Sequence, residues 1–265
     1  MPNGIATPGT ITPGTVTLSL VSHGQARLCA ALLGDLAALA PPAVAKLILT
    51  INVPEPLPSL QGLPFAVEVV QNTHALGFGA NHNQAFARAS TEYFAVLNPD
   101  LRLYQDPFPA LLDALADPLV GLVAPEVLEA DGQVADFARR LVSPWEVIRR
   151  RLVSASPQRR PEPPEWLAGM FLVLRSATYA ALGGFDTRYV MYCEDADLCA
   201  RIRLQGLRLA VVRSVRVTHL AQRASRRSLR PMFLHVSSLL KFWMSPAYSK
   251  YRLLLRSEAG RHGNI

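Results

Sequence analysis

The feature that most constrains this chain is the order in which short apolar runs and helical stretches alternate over its first hundred residues. Residues 16–21 (VTLSLV), 46–51, 66–70 and 93–97 are rich in Val, Ile, Leu and aromatic side chains, and each run ends in a polar or Pro-containing loop. Residues 25–40 space Leu28, Leu32, Leu36 and Leu39 at helical intervals, and 79–90 are a second helix candidate. Strands that are apolar on both faces must be covered on both faces. This predicts an α/β fold with a mostly parallel sheet flanked by helices. Ligands of such sheets gather beyond the carboxyl ends of the strands, so the chemistry belongs in the loops that follow them.

Those loops are polar. The first opens with Ser22 and His23, the second with Asn52 and Glu55, the third with Asn72 and the segment 75–83, and the fourth with Asn98, Pro99 and Asp100. Further on, residues 119–124 read as a fifth strand, 154–165 as a Pro-rich connection and 166–174 as one apolar run. Gly183 and Gly184 then make a turn, a helix runs from the acidic cluster at 194 to about 205, and 209–217 form a strand. The organisation expected is a flexible Pro/Gly/Thr leader over 1–14, one domain over 15–225 and a helical, basic tail over 226–265.

Charge divides the chain. Residues 1–138 carry 4 Lys and Arg against 12 Asp and Glu, whereas 139–265 carry 23 against 8, so the two parts have net charges of −8 and +15. Arginine suits phosphate because its planar fork donates two parallel hydrogen bonds. Nucleic acid, an anionic membrane surface and a phosphorylated substrate are therefore all admissible partners. The 3 cysteines include no CxxC pair, which excludes a disulfide framework or zinc cluster and fits a reducing cytoplasm. No run of about 18 apolar residues is uninterrupted, so a transmembrane enzyme is not expected.

Several residues could carry chemistry. Asp100, just after a buried strand and a rigid Pro99, could hold Mg2+ or Mn2+ against the phosphates of a nucleotide; Asn-Pro-Asp is also an ordinary turn. Glu194, Asp195 and Asp197 crowd three carboxylates into four positions at a helix start. Crowding raises one pKa toward that of a general base, although acids in a first helical turn also serve as caps. Arg201 and Arg203 could offset part of that charge. His219, at the end of a strand, is either a structural residue or an imidazole ligand for the metal at Asp100, and the distance between them decides. The segment ALGFGANHNQAF lacks the lysine of a phosphate-binding P-loop, and its glycines read as allowing close approach to a ligand. Asn72, Asn81 and Asn83 offer amides there, or cap the helix.

In order and spacing, NTHALGFGANHN (72–83), LNPD (97–100), WLAGMFLVL (166–174), GGFDTRYVMYCEDADLCARIRLQG (183–206) and Thr218-His219 resemble the bacterial family-two glycosyltransferases of the GT-A fold. Rhamnosyltransferase-like members that build surface polysaccharide are the most similar, and the likeness covers residues 15 to 225 or so. The resemblance implies inverting transfer of a sugar, rhamnose first, from a nucleotide diphosphate to a hydroxyl of a cell-surface glycan or lipid-linked acceptor. It implies Asp195 as general base and Asp100 with His219 at the metal. It places Ser22, Asn52, Phe78, Asn83 and Asn98 toward the donor, and Trp166, Gly169 and Glu194 toward the acceptor. Where relatives carry an Asp that reads the nucleobase, this chain has Asn52 and Glu55.

The Arg-rich half then has two uses. Its amphipathic stretches suit the inner face of an anionic cytoplasmic membrane, or the tail's Leu, Phe and Trp pack on the domain while Arg faces water. Two other functions compete: a nonenzymatic nucleic-acid-binding protein using the Arg-rich half, and a sugar nucleotidyltransferase, for which SHGQAR after the first strand is a poor match.

Overall fold

The computed structural model describes residues 12–141, 143, 162–220 and 229–262. In chain order the elements are β1 (Thr12–Ser22), α1 (Ala26–Leu39), β2 (Val44–Ile51), β3 (Ala66–Gln71), α2 (Phe78–Phe86), β4 (Thr91–Leu97), β5 (Leu101–Leu103), α3 (Phe108–Ala116) and β6 (Val120–Glu129). There follow β7 (Ala138–Arg139), β8 (Trp166–Leu167), β9 (Phe171–Arg175), α4 (Ser176–Ala181), α5 (Glu194–Leu204), β10 (Arg208–His219), α6 (Leu229–Trp243) and α7 (Pro246–His262).

Eight strands form one sheet in the order β3-β2-β1-β4-β9-β6-β10-β5, and β7 pairs with β8 beside it. Only β9 and β5 run against their neighbours, so the sheet is mostly parallel. Both faces of β1 are buried: Val16, Leu18 and Leu20 on one side, Thr17 and Ser19 on the other. The polar pair is satisfied internally, Thr17 by the Thr91 hydroxyl at 2.7 Å and Ser19 by His82 Nδ1 at 2.7 Å. Helix α1 buries Cys29, Leu32, Leu33 and Leu36. Each such leucine contributes about 1.5–3 kcal/mol by leaving water.

The sheet is curled, and its connectivity requires it. Four strand spacings separate β4 from β5, about 19 Å in a flat sheet. The chain from Leu97 to Leu101 reaches at most about 14 Å. The edge carrying β10 and β5 must therefore bend back over the end of β4. Arg102 fastens it there, with two hydrogen bonds of 2.7 and 2.8 Å to Asp35 of α1.

Four elements differ from the sequence expectation. Strand β1 starts at Thr12, whose N–H donates to Ser90 O at 2.9 Å, because backbone pairing extends it past the apolar run. The run 166–174 is two strands parted by a turn at 168–170, where Met170 N bonds Ala168 O at 2.7 Å. Helix α2 ends at Phe86, short of residue 90, and β5 is too brief to register as a hydrophobic pattern.

The tail is helical and one of its faces is docked. Tyr251 is fully buried and donates its hydroxyl to Glu165 O at 2.8 Å, while Arg203 grips Glu258 at 2.6 and 2.8 Å. Among the described residues no helix is long and apolar enough to cross a membrane.

Candidate active site

The carboxyl ends of β1 to β4 lie along one sheet edge, where side-chain amides tie their loops together. Asn52 donates to His23 Nδ1 (2.9 Å) and Leu76 O (3.0 Å), and accepts from Asn72 Nδ2 (2.9 Å) and Leu76 N (2.8 Å). Its hydrogen-bonding capacity is spent within the protein. Glu55 accepts from Gly24 N (3.1 Å) and Ala26 N (2.8 Å), giving α1 the N-terminal acceptor that Gln25 does not supply. Ser22 is fully buried with an unpartnered hydroxyl.

The glycines of the 75–83 segment allow close approach within the protein. A Cβ on Gly77 would stand 2.7 Å from Val190 O, and one on Gly79 would stand 2.6 Å from Phe185 Cβ. Phe78 N donates to that same Val190 O at 2.9 Å. Asn83 likewise binds inward: its Oδ1 accepts from the Tyr179 hydroxyl (2.6 Å) and Phe185 N (2.9 Å), and its Nδ2 donates to Phe185 O (2.8 Å). These bonds set the start of α2 so that Phe78 projects over Gly169. A Cβ at residue 169 would come within 3.2 Å of the Phe78 ring and 3.7 Å of Asp195 Cβ.

The turn at 168–170 touches both the Asp100 loop and the start of α5. Asn98 N donates to Met170 O (2.9 Å), and Gly169 N donates to Asp195 Oδ2 (2.9 Å). The Asp100 loop and the acidic helix start therefore share one three-residue turn. Asn98 keeps a partly exposed side chain at this junction.

Antiparallel pairing of β5 with β10 sets Leu101 opposite His219, which brings His219 Nε2 to 3.2 Å from Asp100 Oδ2. Burial alone would lower the His219 pKa, but the Asp100 carboxylate outweighs it and the net shift is upward. Asp100 Oδ1 and His219 Nδ1 are both buried without partners. A carboxylate and an imidazole with spare lone pairs fit a divalent cation such as Mg2+ or Mn2+, once the imidazole gives up its proton. Among the described residues no three His, Cys, Asp or Glu side chains form a full cage. The remaining ligands must be water or phosphate, as is usual for Mg2+.

At the start of α5 the three carboxylates have different environments. Asp197 is neutralised by Arg201 at 2.7 Å, and Arg203 is committed to Glu258, so neither arginine reaches the first two acids. Glu194 is buried with an unpartnered Oε2, and Asp195 is partly buried. Desolvation, and for Glu194 the adjacent Asp195 charge, push both pKa values up. Gly169 N, Ala196 N and the Arg139 charge oppose this at Asp195. Tyr192 and Cys193, at φ 71° and 68°, turn the chain sharply into the helix. Two consecutive non-glycine residues in this region cost of order 1–3 kcal/mol each.

Sequence reasoning missed two groups here. Arg139 lies over the buried Trp166 ring at 4.8 Å, within electrostatic range of Asp195. His235 of α6 meets the Tyr192 ring edge-on at 4.9 Å, and its pKa is lowered by burial and by Arg139. Both arrive by tertiary packing, which no local sequence pattern announces.

Residues 50–178 match the model described as glycosyl transferase family 2. That matched stretch, just under half of the chain, resembles a family 2 glycosyltransferase domain. It is 30% identical over 177 residues to the N-acetylglucosaminyl-diphospho-decaprenol L-rhamnosyltransferase of Mycobacterium tuberculosis, covering 54% of this chain and 55% of that protein. It is 37% identical over 79 residues to rhamnosyltransferase WbbL of Escherichia coli, covering 29% of this chain and 30% of that one. The chain thus spans about half, or less, of the length of these curated relatives. Two solved glycosyltransferases share the fold of this domain at 16% identity. GalNAc-T7 with UDP, GalNAc and Mn2+ has a TM-score of 0.61 over 88% of this chain and 48% of that one. Mannosyltransferase PcManGT from Pyrobaculum calidifontis with GDP-Man and Mn2+ has a TM-score of 0.55 over 97% and 79%. The mostly parallel, curled sheet flanked by helices is the GT-A architecture of these glycosyltransferases.

Proposed function

We propose that the chain transfers a sugar, rhamnose first, from a nucleotide diphosphate to a hydroxyl of a glycan or lipid-linked acceptor, inverting the anomeric centre. The observation that carries this reading is the 168–170 turn, which ties Asp195 to the Asp100 loop through two hydrogen bonds of 2.9 Å, one from Gly169 N to the Asp195 carboxylate and one from Asn98 N to Met170 O. One acid stands on the acceptor side of a single sugar and the other on its leaving side. Asp195 takes the proton of the attacking hydroxyl, and Glu194 orients that hydroxyl. Attack from the face opposite the leaving diphosphate inverts the centre. Asp100 and His219 would hold a divalent cation, which supplies charge neutralisation for the departing diphosphate. Phe78 and Asn98 face the donor, while Ser22, Asn52 and Asn83 shape its loops. Trp166 and Gly169 wall the acceptor side.

A nucleotidyltransferase wants free backbone amides after β1 for phosphate. The Glu55 carboxylate already occupies those of Gly24 and Ala26.

The test is thermal stabilisation by a panel of nucleotide sugars with and without Mn2+. A thymidine-diphosphate rhamnose shift that needs Mn2+ is expected, and Asp100→Ala should lose the Mn2+-dependent part. A bound ligand at about 100 times its Kd stabilises by about 2.7 kcal/mol. A shift independent of Mn2+, and equal in Asp100→Ala, would remove the metal from the reading.

The pH profile tests the base. The pKa values of Glu194 and Asp195 lie above the ordinary carboxylate range, so the ionised base is lost on acidification earlier than an unperturbed Asp would be. The acid limb of kcat/KM should therefore fall above the usual carboxylate range and report the pair jointly. Glu194→Gln removes the like charge and should move that limb to lower pH. An unmoved limb would detach Glu194 from the base.

A further inference from the structure

One side of α6 is docked and the opposite side is bare. Phe242 is buried, and Ser238 donates to Met191 O at 2.7 Å, fastening the helix to the loop that precedes Glu194. His235 turns toward Tyr192 of that loop. On the other side, at positions i, i+3 and i+7, Phe233, Val236 and Leu240 are 74, 43 and 49% exposed, and Met244 at 76% continues the row past the helix end. Val190 and Met191, in the loop on the docked side, are 52 and 43% exposed. Single exposed apolar side chains are ordinary, whereas a row of them at helical spacing is a surface awaiting a partner.

Charge identifies the kind of partner. From residue 198 to 257 the chain has 13 Lys and Arg and no acid, and of these Arg201, Arg203, Arg208, Arg213 and Arg216 pair with acids from elsewhere in the chain. Lys241, Lys250, Arg252 and Arg256 of the two tail helices are exposed. A second copy would face like charge with like. An anionic bilayer complements both features, because an apolar helix face enters the acyl boundary while flanking cations meet the headgroups.

We propose that α6 lies on an anionic lipid surface through Phe233, Val236, Leu240 and Met244. This docking is independent of the chemistry assigned to Asp195.

The experiment is flotation of the full chain with phosphatidylcholine vesicles, with or without phosphatidylglycerol. Binding is expected only with phosphatidylglycerol, weakened by salt, and reduced about tenfold or more in the triple variant Phe233→Ser, Leu240→Ser, Met244→Ser. Tyr104→Ser, which removes a ring 71% exposed elsewhere, should bind as wild type does. The triple variant should keep its melting midpoint and its transfer to a water-soluble acceptor, which separates loss of docking from loss of catalysis. Absent vesicle binding, or equal binding by the triple variant, would overturn the proposal. So would a wild-type dimer that the triple variant converts to monomer, which would give the row to a second copy.

Discussion

Asp195→Asn is expected to lower the rate of transfer by about a thousandfold while leaving donor affinity nearly unchanged; a positioned general base typically supplies about 10² to 10⁴. The amide keeps the shape of the carboxylate but cannot take the acceptor's proton. A second effect follows from the hydrogen bonds. Asp195 receives Gly169 N on one oxygen (2.9 Å) and Ala196 N on the other (2.8 Å). An asparagine has one acceptor oxygen, so one of these N–H groups must face an NH2 group. Leaving such a donor unpaired costs about 1–3 kcal/mol where it is buried. The variant should therefore melt somewhat lower yet remain folded. Single-turnover transfer, donor titration and thermal unfolding on the same preparation check all three parts. A folded variant that keeps more than about a tenth of wild-type transfer would overturn the base assignment.

Much of this site was legible because the residues sit where an α/β sheet must gather function, at the ends of strands. Asp100 and His219 could be nominated from loop position and residue type. Their meeting could not, because it depends on β5, a three-residue strand that pairs with β10 only once the sheet has curled. The acidic cluster was equally visible, but its division of labour was not. Which carboxylate keeps an arginine partner is decided by the turn of α5, which gives Arg201 to Asp197, and by the tail, which takes Arg203 through Glu258. Asn52 and Asn83 show the opposite case. Both were nominated toward the donor, and in the structure the Asn52 side chain makes four hydrogen bonds and that of Asn83 three within the protein, holding loops in place. Residue type announces that an amide will make hydrogen bonds; only the fold says with whom.

Gly184→Ala should produce the largest loss of stability, because two independent costs fall on one methyl group. Gly184 stands at φ 69°, where a Cβ costs roughly 1–2 kcal/mol. That Cβ would also collide with Asn83 Oδ1 and lie 2.9 Å from the Tyr179 ring. Overpacking of this kind adds typically about 1–3 kcal/mol. A sum near 3 kcal/mol corresponds to a fall in Tm of roughly 6–12 °C in a domain of this size. The neighbouring glycine is the control. Gly183 has nearly the same φ, 71°, but nothing lies within 4 Å of its added Cβ, so Gly183→Ala should show the backbone cost alone. Equal losses at the two positions would refute the steric part. The collision also has a functional address. Asn83 fixes Phe185, which packs edge-on with Phe78 at 5.7 Å, and Phe78 covers Gly169 beside Asp195. Displacing Asn83 should therefore raise the donor KM in Gly184→Ala, and Gly183→Ala should leave it unchanged.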